Sequence, residues 1–166
     1  MPGIIRKNTG AADAALLDKR RMTTAQDLIA NLEKINIGHL AEECIEETKE
    51  AFAKLNTEQM YEGKTNTGND IVPEYASSTK VIKKRKGQPF DRVTLRDKGA
   101  FHDQYSLDVD GGNIIMGSDV EYEQYLDKKY KEIYGLDADK NTQYVQNDFF
   151  PVFKEKFQEQ TNLQMQ

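Results

Sequence analysis

The sequence predicts an α+β fold: N-terminal helices packed on a small antiparallel β-sheet or hairpin, then a Pro-interrupted C-terminal helix, with extended termini. Three observations carry that expectation. Apolar residues recur at helical spacing between Thr23 and Glu58. A period of two takes over after Gly99 and reverses at Asp110-Gly111-Gly112. Finally, Val145, Phe149, Phe153 and Phe157 repeat at four-residue steps around Pro151.

The 166 residues divide into a single α+β domain over 23–157, an arm at 1–22 and a polar Gln-rich tail at 158–166. The arm has no sustained period and closes on Lys19, Arg20 and Arg21. It reads as flexible, or as ordering on a neighbouring subunit. It also lacks the apolar core of a signal peptide, and no apolar run approaches a membrane span, so a chain made in a reducing compartment, with no membrane contact, is expected. The lone Cys44 reads as a small buried apolar residue.

Each element follows from its local chemistry. Thr23 or Thr24 can cap a first helix carrying Leu28, Leu32 and Ile35, which Asn36-Ile37-Gly38 interrupts. A longer helix is predicted from about His39 to Glu58. Its apolar stripe is Ile37, Leu40, Cys44, Thr48, Ala51, Phe52 and Leu55, with a glutamate-rich face beside it. Turn residues fill 61–73. Ser77 or Ser78 then caps a short basic helix to about Lys86, stopped by Gly87 and Pro89. Strand character is expected at Val93-Thr94-Leu95, and again from Phe101 through Asp103, Tyr105, Leu107 and Val109, with a return strand at 113–117. A helix from Val120 to about Tyr130 leads to an apolar plug at Ile133-Tyr134-Gly135-Leu136. The last helix opens at Asp139 or Asn141, with a kink or split near Phe150 because proline lacks the backbone donor.

The chain carries no pattern for catalysis. His39 and His102 lack general-base partners, and no nucleophile elbow or phosphate-cradling loop occurs. Asp108-Val-Asp110-Gly111-Gly112-Asn113 with Asp119 departs from a calcium loop at its sixth and closing positions, and reads as a hairpin turn. No catalytic residue, metal site or cofactor is therefore expected. The charge distribution says more. Eight basic residues against two acidic ones fall within 76–98, giving +6 there and −11 over the remainder. Lys80, Lys83, Lys84, Arg85 and Lys86 form the densest part. They read as a solvated helix, as a contact to an acidic neighbouring subunit, or as a non-specific contact to nucleic-acid phosphates.

The order of elements resembles small head–tail connection proteins of tailed bacteriophages. These are neck and tail-completion proteins, in the version with a closing Lys-Tyr…Ile-Phe-Gly-Leu unit found in phages and prophages of Bacteroidetes. The matching positions are Tyr61, Gly63, Gly68, Leu95, Gly99, Phe101, Ser118, Asp119, Leu126, Lys129, Tyr130, Ile133, Gly135, Leu136 and Pro151, over about residues 23–157. Lys98 stands where the family has threonine, and Tyr134 where it has phenylalanine. The resemblance implies a non-enzymatic structural protein of the virion neck or tail, present in the host cytoplasm during assembly. It would form a homo-oligomeric ring between portal and tail and contact the neighbouring portal, neck and tail proteins. In that setting Leu95, Gly99, Phe101, Leu126, Tyr130, Gly135 and Leu136 are turn and packing positions. The alternative is a nucleic-acid-associated phage assembly factor whose contact is the 80–86 segment. A small enzyme or toxin would need a constellation the residues do not provide.

Overall fold

The computed structural model describes residues 25–161, and contacts divide the chain into two units, 1–35 and 36–166. The arm with Lys19, Arg20 and Arg21, the Thr23/Thr24 cap and residues 162–166 lie outside the described residues. In the first unit, helix α1 (Ala25–Leu32) continues into a tighter turn, in which Lys34 and Ile35 donate to the carbonyls of Asn31 and Leu32.

The second unit is organised by α2 (Ile37–Glu62), longer at both ends than the sequence suggests. Asn36 caps it by accepting from the His39 amide, and Gly63 ends it at φ +81°, returning its N–H to the carbonyls of Gln59 and Met60. The predicted stripe is buried at Leu40, Cys44, Thr48 and Leu55, and it continues through Asn56, Gln59 and Met60. Ile37 is exposed, because it sits in the first turn beyond the packed stretch.

Helix α2 lies against β1 (Tyr105–Asp110), which pairs antiparallel with β2 (Asn113–Ser118), from Tyr105↔Ser118 to Asp110↔Asn113. The two-residue turn has Gly111 at φ +54° and Gly112 at φ +82°, the left-handed pair that a tight hairpin demands. Tyr105 and Leu107 point into the core, while Ser106 and Asp108 face solvent, as strand alternation requires. The core cluster joins Tyr105 to Met60, Ile71, Val93, Leu95, Phe101, Tyr130 and Ile133.

Three expectations upstream of the hairpin are corrected. Val93, Thr94 and Leu95 are buried but form no strand, because side chains supply the partners that a ladder would. The Tyr75 hydroxyl accepts from the amides of Thr94 (2.9 Å) and Leu95 (3.2 Å), and Leu95 takes φ +49°. Phe101 and Asp103 lie on a helical turn, α4 (Ala100–Asp103), which Gly99 opens at φ +103°; Phe101 is buried there as a plug. Helix α3 (Ser77–Arg85) starts without a serine cap, since Ala76 holds the cap position and Ser77 is already helical.

Beyond the hairpin, α5 (Glu123–Lys129) begins three residues later than expected, after a turn at 120–122. Asp137 caps α6 (Ala138–Tyr144) by accepting from the Lys140 amide, displacing the expected start at Asp139 or Asn141. The split around Pro151 takes the form of a π-helical turn (Val145–Phe149), followed by α7 (Phe150–Thr161), so Gln158 to Thr161 are helical and not frayed. The Phe150 amide reaches back to the Val145 carbonyl, five residues away. That extra residue rotates Val145 out of the stripe, leaving it exposed, and puts buried Tyr144 in its place. The ring contacts then run Tyr144–Phe149, Phe149–Phe153 and Phe153–Phe157 at 6.3, 5.8 and 6.0 Å, with Phe52 edge-on to Tyr144 at 5.2 Å.

The segment 133–137 is held by two fully buried amides of α2. Asn56 donates to the carbonyls of Ile133 (3.2 Å) and Gly135 (2.8 Å), and accepts from the Gly135 amide and the Tyr105 hydroxyl. One turn on, Gln59 donates to the Gly135 carbonyl and accepts from the Asp137 amide. Removing the first amide strands the Ile133 carbonyl, the Gly135 amide and the Tyr105 hydroxyl, while Gln59 still donates to the Gly135 carbonyl. Asn56→Ala should therefore lower the unfolding free energy in urea by about 3 kcal/mol or more. Asn36→Ala, at an exposed cap, should lower it by about 1 kcal/mol. Equal losses for the two variants would contradict the clamp.

Candidate functional site

The predicted basic segment does not present itself as one surface. Lys83 is 5% exposed and points inward from α3, where its Nζ donates to the Arg96 carbonyl at 2.6 Å and lies 4.9 Å from the centroid of the Tyr75 ring. It fixes the 93–96 segment, so its charge is satisfied inside the fold although the residue also lines a groove between α3 and α5. Lys80 pairs with Glu74 and Lys86 with Asp97, each at 2.6 Å. The hydrogen bond from Lys86 holds the Asp97 carboxyl below the usual carboxylate range. Lys84, over the Phe90 ring, and Arg85 are exposed.

What these elements build together is an open groove of about 540 Å³ between α3 and α5. Leu95, Ala100, Leu126 and Tyr130 supply apolar lining, joined by Tyr75, while Ile82 and Tyr122 stand beside it, 51% and 45% exposed. Lys86, Arg96 and Lys98 bring positive charge to the same groove, against the single carboxylate of Asp97. An apolar surface with a basic border is complementary to one that is apolar in the middle and acidic at its edge.

The sequence-derived residues divide between this groove and the scaffold. Lys83, Lys86, Leu95, Leu126 and Tyr130 converge on the groove, and Gly99 opens the turn that carries Ala100 into it. Phe101 is core. Gly135, at φ +101°, and half-buried Leu136 belong to the amide-held segment. Sequence reasoning assigned no site role to Tyr75, Ile82 or Tyr122, and it counted Arg96 and Lys98 only within the basic stretch 76–98. The available signal was Val81-Ile82, an apolar pair inside the lysine run that gives α3 a second face.

Both ends of α2 carry carboxylates, and its C-terminal end also meets two arginines. Glu46, Glu47 and Glu50 are exposed on its N-terminal half, whereas Arg92 and Arg96 both lie over the ring of Tyr61 in its last turn, at 5.9 and 5.6 Å. Fifteen residues of helix, roughly 22 Å, separate Glu46 from Tyr61. Beside Tyr61 a smaller hollow of about 310 Å³ is lined by Thr57, Glu58, Glu62, Arg96, His102 and Asp103. His102 is half-buried on α4, not on a strand as expected, and its Nε2 lies 3.0 Å from the Thr94 carbonyl oxygen. Among the described residues no cluster of three His, Cys, Asp or Glu side chains is placed to hold a metal ion, and no helix is long and apolar enough to cross a membrane.

Two measurements check these placements. Lys83→Met should lose about 1–3 kcal/mol in urea unfolding, because the part-buried Arg96 carbonyl loses its shorter hydrogen bond and keeps only the 3.5 Å one from the Thr94 hydroxyl. Lys84→Met should stay within about 0.5 kcal/mol of the parent. Burial lowers the His102 pKa, so near the ordinary histidine value of about 6.5 the unfolded chain binds a proton that the folded chain resists. This contribution is present above that pH and is lost as pH falls. Thermal melts from roughly pH 8 to 5 should show a steeper decline for the parent than for His102→Gln.

Set against known proteins, the chain matches no family model, no curated protein and no solved structure.

Proposed function

We propose that this chain is a structural component of a tailed-phage virion, a ring-forming neck or tail-completion protein linking portal and tail. The observation that carries this reading is the amphipathic groove, in which Leu95, Leu126 and Tyr130 share one surface with Lys86, Arg96 and Lys98. Such a surface suits docking of another folded protein. The glycines shared with the phage connection proteins, Gly63, Gly68, Gly99 and Gly135, all take positive φ, so that resemblance rests on backbone requirements of the fold. The test is quantitative mass spectrometry of purified particles from the phage or prophage that encodes the chain. A small fixed copy number, comparable to that of the portal, is expected; absence from particles with abundance in the lysate would reject the reading.

The second reading, a nucleic-acid-associated assembly factor, draws on the adjacent exposed pair Lys84 and Arg85. It predicts duplex binding with a shallow salt dependence, a log–log slope of about −2 for two phosphate contacts, which Lys84→Gln with Arg85→Gln abolishes. Absence of binding at low salt would end it.

A further inference from the structure

We propose that the tip of the β1–β2 hairpin of one copy of this chain inserts into the basic-rimmed groove of the next copy. The inference rests on the assembly reading above and names its interface. At the tip, Ile114 and Ile115 are 43% and 56% exposed although they belong to a regular strand. Asp108 and Asp110, both exposed, stand on the strand opposite, paired with Ile115 and Asn113. Beta2 itself carries no charge, and among the described residues its outer edge has no strand partner. Natural edge strands are commonly protected by lysine, proline or a bulge, and this one is not, so it is suited to being covered by protein. The tip therefore offers Ile115 on the face that carries Asp108 and Asp110, with Ile114 exposed on the opposite face, and the groove offers Ile82, Tyr122 and Leu126 bordered by Lys86, Arg96 and Lys98. Hydrophobic surface meets hydrophobic surface, and the charges of tip and groove have opposite sign.

Geometry keeps a copy from filling its own groove. The base of the hairpin adjoins α4, where the Ser118 hydroxyl donates to the Phe101 carbonyl at 2.9 Å, next to the groove-lining Ala100. Six residues of strand carry the tip roughly 20 Å away. There Asp108 lies 3.6 Å from Lys49 and Glu42 lies beside Gly112, both on the N-terminal half of α2. Tip and groove thus occupy opposite ends of one unit. A contact between two different patches is head-to-tail, and repeated copies close into a ring or extend as a filament.

Sedimentation velocity on the purified full chain, over a concentration series, tests this. The parent should associate beyond a dimer. A hairpin variant, Ile114→Asp with Ile115→Asp, and a groove variant, Ile82→Glu with Lys98→Glu, should each be monomeric with unchanged circular dichroism. Mixed together they should form a 1:1 dimer and go no further, because only one intact hairpin and one intact groove remain between them. Exposed single changes cover the case in which the isoleucine variants fail to fold. Asp110→Lys and Lys98→Glu should each weaken association about tenfold, and the double variant, with both charges exchanged, should restore it. A parent that stays monomeric overturns the proposal, as does a mixture that forms no dimer. If both variants associate as the parent does, the hairpin–groove contact is wrong while the assembly reading stands; absence from particles removes that reading whatever the sedimentation result.

Discussion

The rest of the second unit depends on one interaction: two amide side chains, Asn56 and Gln59, buried on successive turns of α2 and engaged with the backbone of 133–137. That stretch has no regular structure, so its N–H and C=O groups need partners from elsewhere when taken out of water. The amides provide them, and Asn56 adds the Tyr105 hydroxyl. Long helix, hairpin and the chain before the C-terminal helix therefore meet at a single point. Asn66 extends the arrangement by donating to the Tyr134 carbonyl, and the Tyr134 hydroxyl donates to Glu123 at the start of α5. Burial and the nearby carboxylates keep that phenol protonated well beyond its ordinary range, so it remains a donor. Buried polar groups satisfied on all sides specify one arrangement in a way that apolar contacts alone do not.

Legibility in the sequence followed the locality of the cause. The hairpin was readable because Asp110-Gly111-Gly112-Asn113 states its turn within four residues, and α2 because its stripe repeats over five turns. Val93-Thr94-Leu95 looked like a strand for sound local reasons, with two β-branched residues and leucine. What decided it was the hydroxyl of Tyr75, eighteen residues upstream of Val93, and the ammonium of Lys83. The roles of Asn56 and Gln59 were invisible for the same reason. A polar residue in a helix reads as solvated until the segment it meets is known.

The groove shows how a charge run can mislead while its location informs. Four cations in a row, from Lys83 to Lys86, suggest a single electrostatic face, yet the helix distributes them around its axis. One goes inward as a strut, one takes a carboxylate partner, and two remain outside. The strut matters most for the shape of the site. By holding the Arg96 carbonyl it sets the path of 95–98, and with it the positions of Leu95, Arg96 and Lys98 in the groove.

The π-helical turn ahead of Pro151 shapes how changes in chain length at this point would be absorbed. Aromatic side chains along the C-terminal helix are spaced five, four and four residues apart, from Tyr144 through Phe149 and Phe153 to Phe157. One supernumerary residue is thereby taken up inside the helix without dislodging the ladder on either side. A relative one residue shorter here would keep every ring in place with ordinary helical spacing, provided it had also lost the proline. An alignment of such relatives would show a single-residue gap within 145–149, coupled to the identity of position 151.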